Sequence, residues 1–243
     1  MSESSFDVLI VGAGLTGIGS AADLRRRFPQ KRIAIIEARE RMGGTWDLFR
    51  YPGIRSDSDM YTLGYRARPW REQRAIVDGP SIRRYIEETA AETGVDKLIR
   101  FGQRVVSAAW SSPKAKWTVE IAHRDGSHST VETRFLHFCS GYYSYAEGHR
   151  PQWEGEADFQ GDIIHPQFWP ENYDYRGKKV IVIGSGATAV TLVPSMADQA
   201  AHVTLLQRSP TYIATQPADD PLAKWLTPWL PKRLAYWVVR WKC

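Results

Sequence analysis

Two strand–turn–helix–strand units in one chain predict an α/β fold with two Rossmann-like dinucleotide-binding domains. In the first, the apolar, β-branched run Val8-Leu9-Ile10-Val11 passes directly into Gly12-Ala13-Gly14-Leu15-Thr16-Gly17. The pattern returns at Lys179-Val180-Ile181-Val182-Ile183, which leads into Gly184-Ser185-Gly186-Ala187-Thr188-Ala189. Each turn is followed by a helical stretch and a second apolar run, Ile33–Ile36 in one unit and His202–Leu206 in the other. Short continuous apolar runs of this kind are the mark of buried parallel strands.

Each glycine of the first turn has a separate purpose. Gly12 permits the tight turn, Gly14 lets a pyrophosphate approach the backbone, and Gly17 lets the helix pack on the strand. Free N–H groups at the helix start then hold phosphate. The helix itself carries Ala21, Ala22 and Leu24 and ends in Arg25-Arg26-Arg27, where cations suit the dipole. Glu37 stands at the end of the second run, twenty residues beyond Gly17. A carboxylate there accepts the hydroxyls of an adenosine ribose and repels a ribose phosphate, which selects FAD or NAD over NADP. The second unit differs at this point. Its third small residue is Ala189, which the pattern allows, and its second run ends in Gln207-Arg208-Ser209. Arginine there pairs with a 2′-phosphate, so the second site reads as NADP.

Composition excludes several classes. With 43% hydrophobic and 24% charged residues the chain is ordinary for a globular protein. Its net charge of +5 is spread along the sequence, which favours small anionic ligands or an acidic membrane surface at least as much as nucleic acid, and no nucleic-acid motif is present. Cys139 and Cys243 lie far apart, arguing against a disulfide framework and for a reducing cytoplasm. The start, Met1–Asp7, is acidic and polar and carries no secretory signal. No apolar run approaches the ~18 residues that a membrane span requires. His165 lacks partners at ligand spacing, so no metal is expected.

Between the two glycine turns lies Phe159-Gln160-Gly161-Asp162-Ile163-Ile164-His165-Pro166-Gln167-Phe168-Trp169-Pro170. It fits F-x-G-x-x-x-H-x-x-x-W-P at every specified position. Arg39-Glu40-Arg41-Met42-Gly43-Gly44-Thr45-Trp46 resembles the segment after the ribose acid in flavoprotein monooxygenases, and Arg50–Asp57 is similar to their flavin-side loop. Leu136-His137-Phe138-Cys139-Ser140-Gly141 looks like their second flavin-domain motif, with Cys139 as a packing residue. Along essentially its whole length the chain resembles the N-terminal half of type I Baeyer–Villiger monooxygenases. A disulfide reductase would need a Cys-x-x-C after the first turn, and there is none. Amine-oxidising flavin monooxygenases typically lack the closing Trp-Pro, present here as Trp169-Pro170.

The resemblance implies an FAD-binding domain over 1–150, a fingerprint linker over 151–176 and an NADP-binding domain over 177–243. The second is nested in the first, and both are incomplete in this chain. It implies that NADPH reduces FAD and that O₂ adds to give a flavin peroxide. This inserts oxygen into a small hydrophobic ketone, or transfers it to the sulfur of a thioamide or sulfide. Gly12, Gly14, Thr16, Gly17 and Glu37 would hold the FAD diphosphate and ribose. Thr45, Trp46, Asp47, Leu48 and Asp57 would lie along the flavin, with the Val105 backbone on the adenine side. Gly184, Ser185, Gly186, Ala187, Thr188, Ala189, Val190, Arg208 and Ser209 would hold NADPH, with Arg55 and Ser56 near its nicotinamide end.

Asp57 matches the family carboxylate that positions an active-site arginine, and that arginine comes later than this chain extends. The expectation is therefore slow, uncoupled NADPH oxidation by these residues alone. The alternative is a truncated, inactive nucleotide-binding fragment. At the C-terminal end, Trp225, Trp229, Trp237 and Trp241 lie among Lys224, Lys232, Arg233, Arg240 and Lys242. Leu234-Ala235-Tyr236-Trp237-Val238-Val239 is expected to form one face of an amphipathic helix, an insertion in the NADP domain. The competing expectation is peripheral contact with an anionic membrane, on its cytoplasmic face.

Overall fold

The computed structural model describes residues 5–215 and 217–243, and the side chains of all of these except Lys232. Residues 1–4, part of the acidic start, lie outside the described residues. By its contacts the chain divides into two units, 1–48 with 82–143, and 49–81 with 144–243. The division cuts across the continuous 1–150 expected from sequence. Residues 49–81 are local partners of the second unit, because their main chain and side chains pair with residues beyond 144.

The first unit is a six-stranded mixed sheet. Strands β1 (Ser5–Val11), β2 (Ile33–Ile36), β3 (Ile99–Arg100), β4 (Gln103–Ser111), β5 (Lys116–His123) and β6 (His128–Phe138) lie in the order β3-β2-β1-β6-β5-β4. Both neighbours of β1 run parallel to it, with Ile10 opposite Ile35 on one side and His137 on the other. The last three strands form an antiparallel meander, in which Val119 pairs with both Ala108 and Val131. Helix α1 (Leu15–Arg27) connects β1 to β2 and buries Gly17, Ile18, Ala21 and Ala22. These small residues let it lie close to the strands. The core joins the parallel and antiparallel parts through Phe6, Leu9, Ala34, Ile36, Val119, Ile121 and Val131. Burying each of the larger of these side chains contributes about 1.5–3 kcal/mol. A four-residue turn of helix, α2 (Thr45–Leu48), closes the first segment of the unit.

The second unit contains α3 (Met60–Leu63) and the start of α4 (Gly79–Thr93), which continues into the first unit. Asp78 caps α4 by accepting the Ser81 N–H at 2.9 Å. Strands β7 (Lys179–Ile183) and β8 (His202–Leu206) form a parallel pair, Lys179 opposite His202 through Ile183 opposite Leu206. They are connected by α5 (Ala187–Ala197). Two further helices, α6 (Pro221–Leu226) and α7 (Lys232–Lys242), complete the unit. The buried face of α7 is narrower than the sequence suggests. Ala235, Tyr236 and Val239 are buried, whereas Leu234, Trp237 and Val238 are exposed. The apolar run is continuous, and a helix turns half of any such run away from its contact. Tyr236 packs against Tyr61 of α3, and the Arg240 guanidinium donates to the Tyr61 carbonyl.

Candidate functional site

The first glycine turn is built from close approaches that only glycine tolerates. Gly12 has φ +106°, and a Cβ there would lie 2.5 Å from the Cys139 carbonyl oxygen. A Cβ on Gly17 would come within 1.9 Å of the Gly12 carbonyl oxygen, which is how α1 sits so near β1. Gly14 is the N-cap of α1 and makes no side-chain cap bond. Thr16 is exposed in the first turn of the helix. The glycine pair folds back onto this turn, with Gly43 donating its N–H to the Ala13 carbonyl at 3.0 Å. The Gly44 Cα would lie 3.5 Å from a Cβ on Gly14. Cys139, whose N–H bonds the Val11 carbonyl, backs the turn through its main chain. Burial pushes its thiol pKa up, as suits a packing residue.

Glu37 is buried at the end of β2, beside this turn. Its Oε2 accepts the Ala13 N–H at 2.7 Å and its Oε1 accepts the Arg39 N–H at 2.9 Å. Each carboxylate oxygen has a second lone pair, so acceptor capacity remains for a ribose. Its main chain is held by Arg100 and Gln103, which places β4 and the partly buried Val105 close by. Sequence spacing located Glu37; its bond to Ala13 was not visible there.

Thr45, Trp46 and Leu48 are partly buried around α2. The Asp47 side chain is wholly enclosed. Arg39 Nη2 donates to its Oδ2 at 2.7 Å and Arg83 Nη1 to its Oδ1 at 3.2 Å, with Arg41 Nε at 3.6 Å. Asp47 thus braces the glycine-pair turn against α4. No sequence signal connected it to Arg83, which lies 36 residues away.

The second glycine turn has the same form. Gly184 has φ +126° and donates its N–H to the Leu206 carbonyl at 2.9 Å. Gly186 is the N-cap of α5, again with no side-chain cap bond, and nothing lies within 4 Å of where its Cβ would be. Ser185, Thr188 and Val190 are partly buried, Ala187 is exposed and Ala189 is buried against the strands. Arg208 and Ser209 follow β8 and are exposed. Arg55, Ser56 and Asp57 belong to this unit by their contacts. Arg55 and Asp57 are exposed, while Ser56 is buried, its hydroxyl bonded to the Ser58 carbonyl at 2.8 Å. Within the fingerprint, His165 Nδ1 accepts the Gln167 N–H at 3.2 Å. The His165 ring lies so close to Gly148 that a Cβ there would clash. Gln167, buried, donates to the Ser144 carbonyl at 2.6 Å. The fingerprint therefore holds 144–148 in place. Trp169 packs edge-on against Tyr173 and Tyr175.

Both helices start at a glycine that has no side chain to cap them, with open space at Gly186, and each lies at the end of a parallel strand. That arrangement fits a dinucleotide phosphate. Among the described residues, no cluster of His, Cys, Asp or Glu is placed to hold a metal ion, and no helix is long and apolar enough to cross a membrane.

Comparison with known proteins agrees with this geometry. Residues 69–227 match the flavin-binding monooxygenase-like family, and residues 10–76 match an NAD(P)-binding Rossmann-like domain. The chain is 58% identical to the FAD-containing monooxygenase EthA of Mycobacterium tuberculosis over 97% of its own length and 48% of that protein's. It is 49% identical to the probable FAD-binding monooxygenase AlmA of Acinetobacter baylyi, over 98% of the chain and 48% of AlmA. The chain thus spans about half the length of the curated relatives it matches. Among solved structures, a steroid monooxygenase bound to NADP has a TM-score of 0.77 at 32% identity, over 92% of this chain and 42% of that one. OTEMO in complex with FAD and NADP gives 0.78 at 31%, over 98% and 45%.

Proposed function

The chain belongs to the flavin-binding monooxygenase-like family, and we propose that it supplies the FAD and NADPH sites of a Baeyer–Villiger-type monooxygenase. The substrates on this reading are O₂ and a small hydrophobic ketone, with a thioamide or sulfide as the sulfur-containing counterpart. The observation that carries the reading is the contrast between two otherwise similar turns. The second strand of one unit ends at a buried carboxylate, Glu37, and that of the other is followed two residues on by an exposed guanidinium, Arg208. A carboxylate suits an unmodified ribose and a guanidinium a phosphorylated one.

On this reading the N–H groups after Gly14 hold the FAD diphosphate and Glu37 accepts from its ribose. Val105 borders the adenine side. Thr45, Trp46 and Leu48 line the flavin end, and Asp47 fixes the glycine-pair turn through Arg39 and Arg83. The Gly184–Val190 turn and Arg208-Ser209 hold NADPH, with Arg55 and Ser56 toward its nicotinamide. Asp57 is the catalytic carboxylate, its exposed oxygens available to orient a cation at the reacting oxygen. Bound FAD would supply the oxygen-activating redox chemistry, drawing hydride from NADPH. Outside the nucleotide sites, the exposed Trp225, Trp229 and Trp241 beside Lys224 and Arg233 suit peripheral contact with an anionic bilayer. Co-sedimentation with phosphatidylglycerol vesicles, absent with phosphatidylcholine, tests that contact.

The function itself is tested without oxygen. Purified protein reconstituted with FAD should lose its flavin colour when NADPH is added and far more slowly with NADH. Protein that binds no FAD, or that is reduced equally by both, would contradict the assignment.

A further inference from the structure

The second glycine turn has a partner that the first lacks a counterpart for. Thr188 occupies the position in its turn that Thr16 holds in the first, one residue into the helix. Thr16 is exposed. Thr188 instead meets the side chain of Tyr51, and their hydroxyls share a hydrogen bond. Tyr51 is 6% exposed and packs edge-on against Phe49, with ring centroids 6.0 Å apart, so it has little freedom to swing away.

The chain around Tyr51 forms a strap pressed along one face of α5. Thr188, Thr191 and Ser195 lie at i, i+3 and i+7 on that face. Gly53, with φ +75°, approaches so closely that a Cβ would lie 1.9 Å from Ser195 Oγ and 3.2 Å from Thr191 Cγ2. Thr191 and Ser195 turn their hydroxyls back to the helix, donating to the Ala187 and Thr191 carbonyls at 2.9 and 2.7 Å. On its other side the strap is tied to residues 77–79, Ser56 donating to the Val77 carbonyl and Gly79 to that of Ile54. Of the three hydroxyls on this face, two are closed onto the helix and the third is held by Tyr51.

We propose that Tyr51 is a positioning residue for the nucleotide diphosphate at Gly184–Ala189, acting through the Thr188 hydroxyl. Tyr51 donates its proton to Thr188 Oγ1, which leaves the Thr188 proton free to point at a phosphate oxygen. Burial raises the Tyr51 pKa, outweighing the opposing effect of the Thr188 hydrogen bond and helped by the charge of Asp57, so the phenol keeps the proton this requires. The inference rests on the NADP assignment of the second turn and adds a residue from outside that turn to it.

The test is calorimetric binding of NADP⁺ and of 2′-AMP to the full chain and to Tyr51→Phe, Thr188→Val and the double variant. 2′-AMP reports on Arg208 alone, since it carries no diphosphate. Tyr51→Phe should weaken NADP⁺ by about 3- to 10-fold, as for one neutral hydrogen bond, and leave 2′-AMP unchanged. In the Thr188→Val background the same substitution should have no further effect, because the two side chains act through one bond. NADP⁺ affinity unchanged in Tyr51→Phe overturns the proposal, as does equal weakening of 2′-AMP, which would mean general loosening. Should the unmutated chain bind 2′-AMP and NADP⁺ not at all, the underlying assignment falls with it.

Discussion

Ala13 donates its backbone N–H to Glu37 Oε2 at 2.7 Å, so the first glycine turn and the carboxylate at the end of β2 are one hydrogen-bonded unit. Glu37→Ala should therefore affect both binding and folding. It leaves the Ala13 N–H in a buried position without its acceptor, costing about 1–3 kcal/mol of stability. FAD affinity should fall by about tenfold or more as the ribose contact goes, and Glu37→Gln should lie between the two. Urea melts and flavin-fluorescence titrations measure the two effects separately.

Asp47 offers a test of how firmly the glycine-pair turn is braced. Its carboxylate is enclosed while Arg39 and Arg83 are partly exposed. Removing one partner of a buried pair typically costs about 3–5 kcal/mol. Here the arginines can reach water, so Asp47→Asn should cost about 2–3 kcal/mol, near or below the low end of that range. A melting temperature unchanged from the parent protein would show that the carboxylate carries no structural load.

The C-terminal helices should respond to acid. Burial alone would raise the Asp220 pKa, but the Lys242 ammonium and the Ala223 N–H outweigh it and hold the carboxyl below its ordinary value of 3.8. A depressed folded pKa contributes stability above the unfolded value that is lost as pH falls through the folded one. Lys242 shows the converse, its pKa raised above 10.5 by Asp220, so its contribution fades only as pH rises beyond that value. Tryptophan fluorescence, with Trp225, Trp229, Trp237 and Trp241 as local reporters, should hold steady between these limits and shift below about pH 4. In Asp220→Asn, which keeps a good helix cap but loses the charge, the acid shift should disappear.

Arg208→Ala should separate the two nicotinamide cofactors. Losing a charge-assisted contact to the 2′-phosphate should cost NADPH about 1–3 kcal/mol of binding. NADH, with nothing at that position, should bind as before. Parallel weakening of both would place Arg208 elsewhere than at the ribose.

Both glycine units could be read from sequence because local rules govern them. At Gly12 and Gly17 the backbone conformation and spacing leave no other residue possible, and Glu37 follows at the strand end. The antiparallel meander was missed, although Trp117, Val119 and Ile121 alternate and Asp125-Gly126 supplies a turn. Its strands, of 9, 8 and 11 residues, alternate apolar with polar or charged side chains, a weaker signal than a continuous apolar run. Contacts between residues distant in sequence were invisible in principle. Asp47 with Arg83, Tyr51 with Thr188 and Gly53 with Ser195 depend on how segments return to one another, which spacing does not encode. Within α7, an unbroken apolar run concealed which side chains turn inward.

Titration of one protein sample with FAD and then NADP⁺, followed by calorimetry, tests the central claim most directly. Two glycine turns with opposite charges beside them predict one equivalent of each nucleotide, the second binding unimpeded by the first. Competition of FAD and NADP⁺ for a single site would contradict it.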